Sequence, residues 1–203
     1  MNDQLQNELL ELDWDNFNSI IDLYERNIIY FKNFNEKEDL DALEEITYIK
    51  ISYILALDKK KHYTKANNCL KEVAILISRL KGSEYYDQTN EKYLYACGVI
   101  AQRFNKYEES QSYFSQLVKM DPDNHMYKTW YDSNQEWSLY NQLKFVGYIG
   151  SGLFFINQLA RIFDLYRHDL FLKLDFLAFF LILLGFWGYK PIKYFKKLWK
   201  NEI

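Results

Sequence analysis

Two apolar runs near the C-terminus, "FVGYIGSGLFFINQLARIF" from Phe145 to Phe163 and "LFLKLDFLAFFLILLGFWGY" from Leu170 to Tyr189, constrain this chain more than any other feature. Each approaches the ~20 residues with which a helix crosses ~30 Å of hydrocarbon. Only the polar "DLYRHD" separates them. Residues 143–189 therefore predict a transmembrane helical hairpin, with spans at about 145–164 and 170–189, that returns the chain to its starting side. Lys144 precedes the hairpin and Lys190, Lys193, Lys196, Lys197 and Lys200 follow it, whereas Arg161, Arg167 and Lys173 lie toward the turn. Six basic residues against three predict that both ends face the cytoplasm, with residues 190–203 as a basic tail. The acidic N-terminus, which lacks a basic-then-apolar run, predicts no signal peptide. Trp137, Tyr140, Trp187, Tyr189, Tyr194 and Trp199 suit an aromatic belt at the same interface.

Four side chains in the spans resist hydrocarbon: Asn157, Gln158, Arg161 and Asp175. Arg161 stands three residues before Asp164 and Asp175 six after Asp169, which in a hairpin puts them at similar depth near the far interface. A charge at mid-membrane costs at least ~2.5 kcal/mol on insertion scales. A structural salt bridge is the first reading of this group, and a polar track for an ion or substrate the second. Gly147, Gly150, Ser151 and Gly152 form a small-residue surface that a helix can approach closely, which opens a route to homo- or hetero-oligomers.

The rest of the chain differs in charge and pattern. The net charge of −3 divides into −8 over residues 1–142 and +5 over residues 143–203, so a boundary is expected near Leu143. Only 2 Pro and 7 Gly punctuate the 203 residues, which favours long helices and short loops. Leu5, Leu9 and Leu12 share a helical face, as do Phe17, Ile20, Ile21, Tyr24 and Ile28 in a second helix that Asp15 or Asn16 could cap. A third helix breaks near Asp58 to Lys61, and a fourth runs from His62 to Lys81 and ends at Gly82. "TNEKYLYACGVIAQRF" and "KYEESQSYFSQLVKM" give a fifth and sixth, and residues 125–142 a seventh that connects to the hairpin. The expected fold is all-α. Cys69 and Cys97 have no CxxC spacing and imply neither a disulfide framework nor a zinc site.

Helices joined by tight turns call for a repeat search. In residues 91–124, Gly98 and Ala101 place small residues on the first helix's contact face. Tyr107 opens the second helix, Ser110 is the small residue three positions later, Phe114 the bulky one, and Pro122 marks the end. This 34-residue segment resembles a tetratricopeptide repeat, although Cys97 and Ser110 depart from the family's preferred types. A weaker copy from about Thr47 places Tyr63, Ala66 and Leu70 in the same slots but has Ile54 for the glycine and no closing proline. A third echo uses Phe17, Ile20 and Tyr24. Residues 1–124 thus resemble a repeat domain, with a plain helical bundle as the alternative.

The resemblance implies a curved surface that holds a protein or peptide partner and carries no catalysis. In the family the first helix of each repeat lines the groove, which implies Tyr48, Ile51, Leu55 and Asp58 in the middle unit and Lys92, Tyr95, Val99, Gln102 and Arg103 in the last. Ile51, Leu55, Tyr95 and Val99 stand where a carboxylate clamp would need polar groups, so an apolar or aromatic ligand is expected, with Lys92 and Arg103 at the edge. The alternative is that these residues pack against the seventh helix. His62, His125 and His168 are dispersed and no HExxH, GxSxG, P-loop or GxGxxG pattern occurs. No enzyme activity, metal or cofactor is expected, and no basic aromatic helix points to nucleic acid. Membrane lipid and a protein partner are the expected contacts of a membrane-anchored adaptor; a subunit of a membrane complex or pore, with the hairpin as its active part, is the alternative.

Overall fold

The computed structural model describes residues 3–33, 40–162, 168–188 and 191, and among these the chain is all-helical. In order, α1 is Asp3–Leu10, α2 Phe17–Arg26, α3 Ile28–Asn33, α4 Leu40–Lys59, α5 Tyr63–Leu80, α6 Tyr86–Arg103, α7 Tyr107–Met120, α8 His125–Ile162 and α9 His168–Trp187. The chain divides into two compact units, Met1–Asn134 and Gln135–Ile203, a boundary slightly earlier than the charge change suggests. The tail lysines, Arg167, Asp164, Asp169, Tyr189, Tyr194 and Trp199 lie outside the described residues or have undescribed side chains.

Local chemistry sets most helix ends. Asn16 caps α2: its backbone is extended and its side-chain oxygen accepts from the Asn18 N–H at 3.1 Å. The sequence predicts one helix from there through Phe31, but Asn27 divides it. The Asn27 side-chain amide donates to the Leu23 carbonyl at 3.0 Å, competing with the helical ladder, and also to Glu8 at 3.1 Å. Gly82, with φ of 92°, follows α5 where a left-handed residue is needed.

The same turn closes α4 onto α5 and α6 onto α7. Lys61 has φ of 65°, and the His62 N–H reaches back to the Leu57 carbonyl. Forty-four residues later Asn105 has φ of 60°, and the Lys106 N–H reaches the Ala101 carbonyl. Both are helix C-termini locked by a left-handed residue. Neither is glycine; the asparagine at 105 tolerates the conformation better than the lysine at 61. The two helix pairs are therefore joined by the same kind of turn.

Cross-helix contacts carry the same offset. Tyr85 donates to Asp41 (separation 44), Thr89 to Glu44 (45) and Arg103 to Asp58 (45), so α4 and α6 lie side by side and run parallel. Equivalent helices of adjacent repeats are arranged this way in solenoids. One core joins α1 to α6 through residues such as Leu23, Ile46, Ile54, Val73 and Ile100. Within it Tyr24 stacks on Phe31 at 4.8 Å and on Tyr53 at 3.9 Å. A second core packs Leu94, Val99, Phe114 and Leu117 against Tyr127 and Trp130 at the start of α8.

A polar tie crosses the first core's rim. Glu25 accepts from the Lys65 ammonium at 2.6 Å and the Tyr53 hydroxyl at 3.1 Å. The Lys65 hydrogen bond holds the Glu25 carboxyl below its usual range, and the bond to Glu25 holds Lys65 above its own. Burial raises the Tyr53 phenol. The depressed Glu25 contributes stability above pH ~4.3 that is lost as pH falls below it, and the raised Lys65 and Tyr53 contribute below pH ~10 and fade above it. Because the Glu25 and Lys65 side chains are 44% and 51% exposed, the tie is worth under about 1 kcal/mol. Urea unfolding should show Glu25→Gln less stable than wild type by this small amount at pH 7 and equal to it at pH 3. An equal gap at both pH values would show that the ionised carboxylate is not what contributes.

Candidate functional site

In the first unit, the residues that the sequence assigns to a groove converge on the α4–α6 seam. Lys92 places its ammonium over the Tyr48 ring, 3.9 Å from its centre, and the Trp14 ring meets the Tyr48 ring in an edge-on arrangement with the centres 5.4 Å apart. Arg103 forms a two-pronged ion pair with Asp58 at 2.7 and 3.0 Å and lies 5.6 Å from the Tyr63 ring. Tyr95 contacts Phe114 and Tyr127 by its ring. Ile51 and Val99 are buried at 1% and 3% exposure, and Asp58 is buried as well. These three present no surface to a partner. Tyr48, Leu55, Lys92, Tyr95 and Gln102 remain half-exposed and Arg103 exposed. Val99 and Tyr95 pack against the start of α8, as the alternative reading of the groove expects.

Of the residues assigned to repeat packing, Gly98, Ser110 and Phe114 touch one another. Ser110 is fully buried and donates to the Gly98 carbonyl at 2.7 Å. A Cβ on Gly98 would lie 2.6 Å from the Phe114 ring, so this glycine is what lets α6 and α7 touch. Ala66 and Ala101 are buried, Tyr63 and Tyr107 half-buried, and Pro122 exposed just past α7. Both cysteines are free. Burial pushes the Cys97 thiol up to about 11, the setting of an inert packing residue.

In the second unit, α8 and α9 are joined backbone to backbone. A Cβ on Gly185 would collide with the Gly147 main chain, and one on Gly150 would lie 2.8 Å from Leu181 and 2.9 Å from the Ala178 carbonyl. Of the small residues singled out in the sequence, Gly147 and Gly150 thus serve the contact within the hairpin. A Cβ on Gly152 would meet nothing within 4 Å beyond its own helix among the described residues, and Ser151 is exposed with its hydroxyl donating to the Gly147 carbonyl. Partners on α9 descend in number as those on α8 rise, so the helices are antiparallel.

The four polar residues of this unit gather on one carboxylate. Asp175 accepts from Asn157 at 2.7 Å, from Gln158 at 3.0 Å and from Arg161 at 2.6 Å. Asn157 also donates to the Phe171 carbonyl at 2.9 Å, and the Arg161 guanidinium lies 5.5 Å from the Phe171 ring. The sequence names these residues and the ion pair. It does not foresee that Phe171 supplies both a carbonyl and a ring, or that Ala178 and Gly185 complete the close contact. A glycine inside "LILLGFW" was the available signal for Gly185.

Among the described residues, no helix is long and apolar enough to cross a membrane. The two spans that the sequence predicts, at about 145–164 and 170–189, each run past the described residues, and polar side chains lie within both. Asn157, Gln158 and Arg161 interrupt the α8 run, and Lys173 and Asp175 interrupt α9. Nor does a break separate the seventh helix from the first apolar run: α8 is continuous over 38 residues. Set beside known proteins, the chain matches no family model, no curated protein and no solved structure.

Proposed function

We propose that the chain is a membrane-anchored adaptor. The α8–α9 unit is embedded in lipid, and the repeat unit, similar to tetratricopeptide repeats, holds a protein or peptide partner in a binding and not a catalytic role. One observation carries this reading. Beyond Leu143 the apolar side chains of α8 and α9 are exposed on the faces that the two helices do not turn toward each other. Phe145, Phe155, Ile156, Phe176 and Trp187 are between 61% and 82% exposed. A helix apolar on all sides is stable only inside a protein core or a membrane. Asn157, Gln158 and Arg161 all donate to Asp175, which is how charges are tolerated in such surroundings and which favours an anchor over a conducting track.

The excess of lysine outside the hairpin supports a cytoplasmic position for both ends. On the repeat unit, the half-exposed Tyr48, Leu55 and Tyr95 suit an apolar or aromatic ligand side chain, with Gln102 beside them. Fractionation tests the anchor. The full chain is expected to stay in the membrane pellet after alkaline carbonate washing, whereas a chain ending at residue 142 is released. External protease on spheroplasts should leave residues 1–142 uncut. A full chain that is monodisperse in buffer without detergent would overturn the proposal.

A further inference from the structure

We infer that the α8–α9 hairpin is matched to a hydrocarbon layer thinner than an ordinary bilayer, a reading that rests on the membrane anchor just proposed. Between Lys144 and Asn157, α8 carries Phe145–Ile156 with no charged or amide side chain. Between Asp175 and its end, α9 carries Phe176–Trp187, likewise free of them. At 1.5 Å per residue each stretch is about 18 Å long. An ordinary hydrocarbon core is ~30 Å thick.

The two stretches occupy the same slab. A side chain on Gly147 would meet Gly185 and Phe186, and one on Gly150 would meet Ala178 and Leu181. Asn157 bonds to Phe171 and Asp175, which ends both stretches at one level. Lys144 stands at the opposite border, its ammonium 5.7 Å from the Tyr148 ring. The slab is therefore closed on the turn side by Arg161, Asp175 and the exposed Lys173, and on the other side by Lys144.

The turn-side border is not apolar surface in disguise. The Arg161 side chain is 39% exposed even while paired with Asp175. Its free donors need water or headgroup oxygens, and long cationic side chains extend toward an interface to find them. Counting from Lys144 to Arg161, that reach stretches the slab to about 26 Å, still short of an ordinary bilayer. A bilayer of normal thickness would have to thin around the hairpin or draw headgroups in to the cluster, whereas short acyl chains would fit without distortion. The occupant of the exposed apolar face is thus a thin lipid layer, not a second protein surface, because polar side chains of both helices meet at one depth on the turn side and Lys144 bounds α8 at the other.

The test is reconstitution of the full chain from detergent into phosphatidylcholine vesicles with monounsaturated 14-carbon or 22-carbon chains, read by co-flotation. At least tenfold more protein is expected in the thin vesicles. The variant Asn157→Leu, Gln158→Leu, Arg161→Leu, Asp175→Leu lengthens the apolar stretch and should shift toward the thick ones. Equal flotation of the native chain in both overturns the thickness inference and leaves the anchor standing. Flotation in neither overturns the anchor, and the inference with it. A variant that floats well yet keeps the native preference overturns the role given to the cluster.

Discussion

Replacing Arg103 by methionine is expected to lower the stability of the chain by about 3 kcal/mol, the low end for stranding one member of a buried ion pair. The Asp58 side chain is 3% exposed and both its oxygens are bonded to the Arg103 guanidinium. Methionine keeps the aliphatic stem beside Tyr63 and removes only the charge, leaving a carboxylate with no counter-ion in the seam. The low end applies because the Arg103 side chain is 35% exposed, so water can partly take its place. Adding Asp58→Leu should recover most of the loss, since removing both partners leaves no uncompensated charge. Denaturant unfolding of the full chain in mild detergent measures this. A single variant within about 0.5 kcal/mol of wild type would mean that the pair does not bind α4 to α6.

Gly98→Leu should be at least as damaging, costing about 3 kcal/mol, at the upper end for an overpacked core. Even the first carbon of the new side chain would stand 2.6 Å from the Phe114 ring. That ring cannot retreat: it is fully buried, stacked on Trp130 at 5.3 Å and met edge-on by Tyr95 at 6.0 Å. The shift would also break the Ser110 hydrogen bond to the Gly98 carbonyl. Gly98→Ala should cost less, about 1–2 kcal/mol, and Phe114→Leu placed beside it should restore part of the loss by opening space. The exposed Lys119→Ala serves as a control that changes little. Melting temperature followed by circular dichroism reads all four variants. An unchanged melting temperature for Gly98→Leu would show that α6 and α7 do not meet at this point.

Helix content was legible because it depends on local pattern, and so was the close approach of Gly98, Ser110 and Phe114. Tyr107, Ser110 and Phe114 recur as Tyr63, Ala66 and Leu70, and small residues at Gly98 and Ser110 have meaning only if two helices touch there. Thr47 and Glu91, where the two copies begin in the sequence reading, already stand as far apart as Lys61 and Asn105 do in the structure. The full 44-residue spacing was obscured by a 34-residue template, for which the 20-residue α4 and 18-residue α5 are both too long. The fate of the groove was not legible. Whether Ile51, Asp58 and Val99 face a ligand or a neighbouring helix depends on what α6 and the start of α8 cover, and periodicity along one helix is silent on that. The interruption at Asn27 was missed because a side-chain amide competing for a carbonyl leaves no trace in the apolar pattern. In the apolar half, Asn157, Gln158, Arg161 and Asp175 stood out in the sequence as polar residues within apolar runs, but that the first three all bond to Asp175 depends on how α8 pairs with α9.

The constant offset of the α4–α6 seam also bears on how the first unit acquires its structure. Asp41 with Tyr85, Glu44 with Thr89 and Asp58 with Arg103 each enclose nearly the same length of chain, 44 or 45 residues. The entropy of closing a loop of that size is lost once, when the first of these pairs forms. Every later pair lies one or more helical turns along two rods already held side by side and encloses no new loop. The seam should therefore zip from whichever end meets first, with a single slow closure ahead of it, and a variant such as Arg103→Met should speed unzipping far more than it slows the initial encounter whenever closure begins at the Asp41 end.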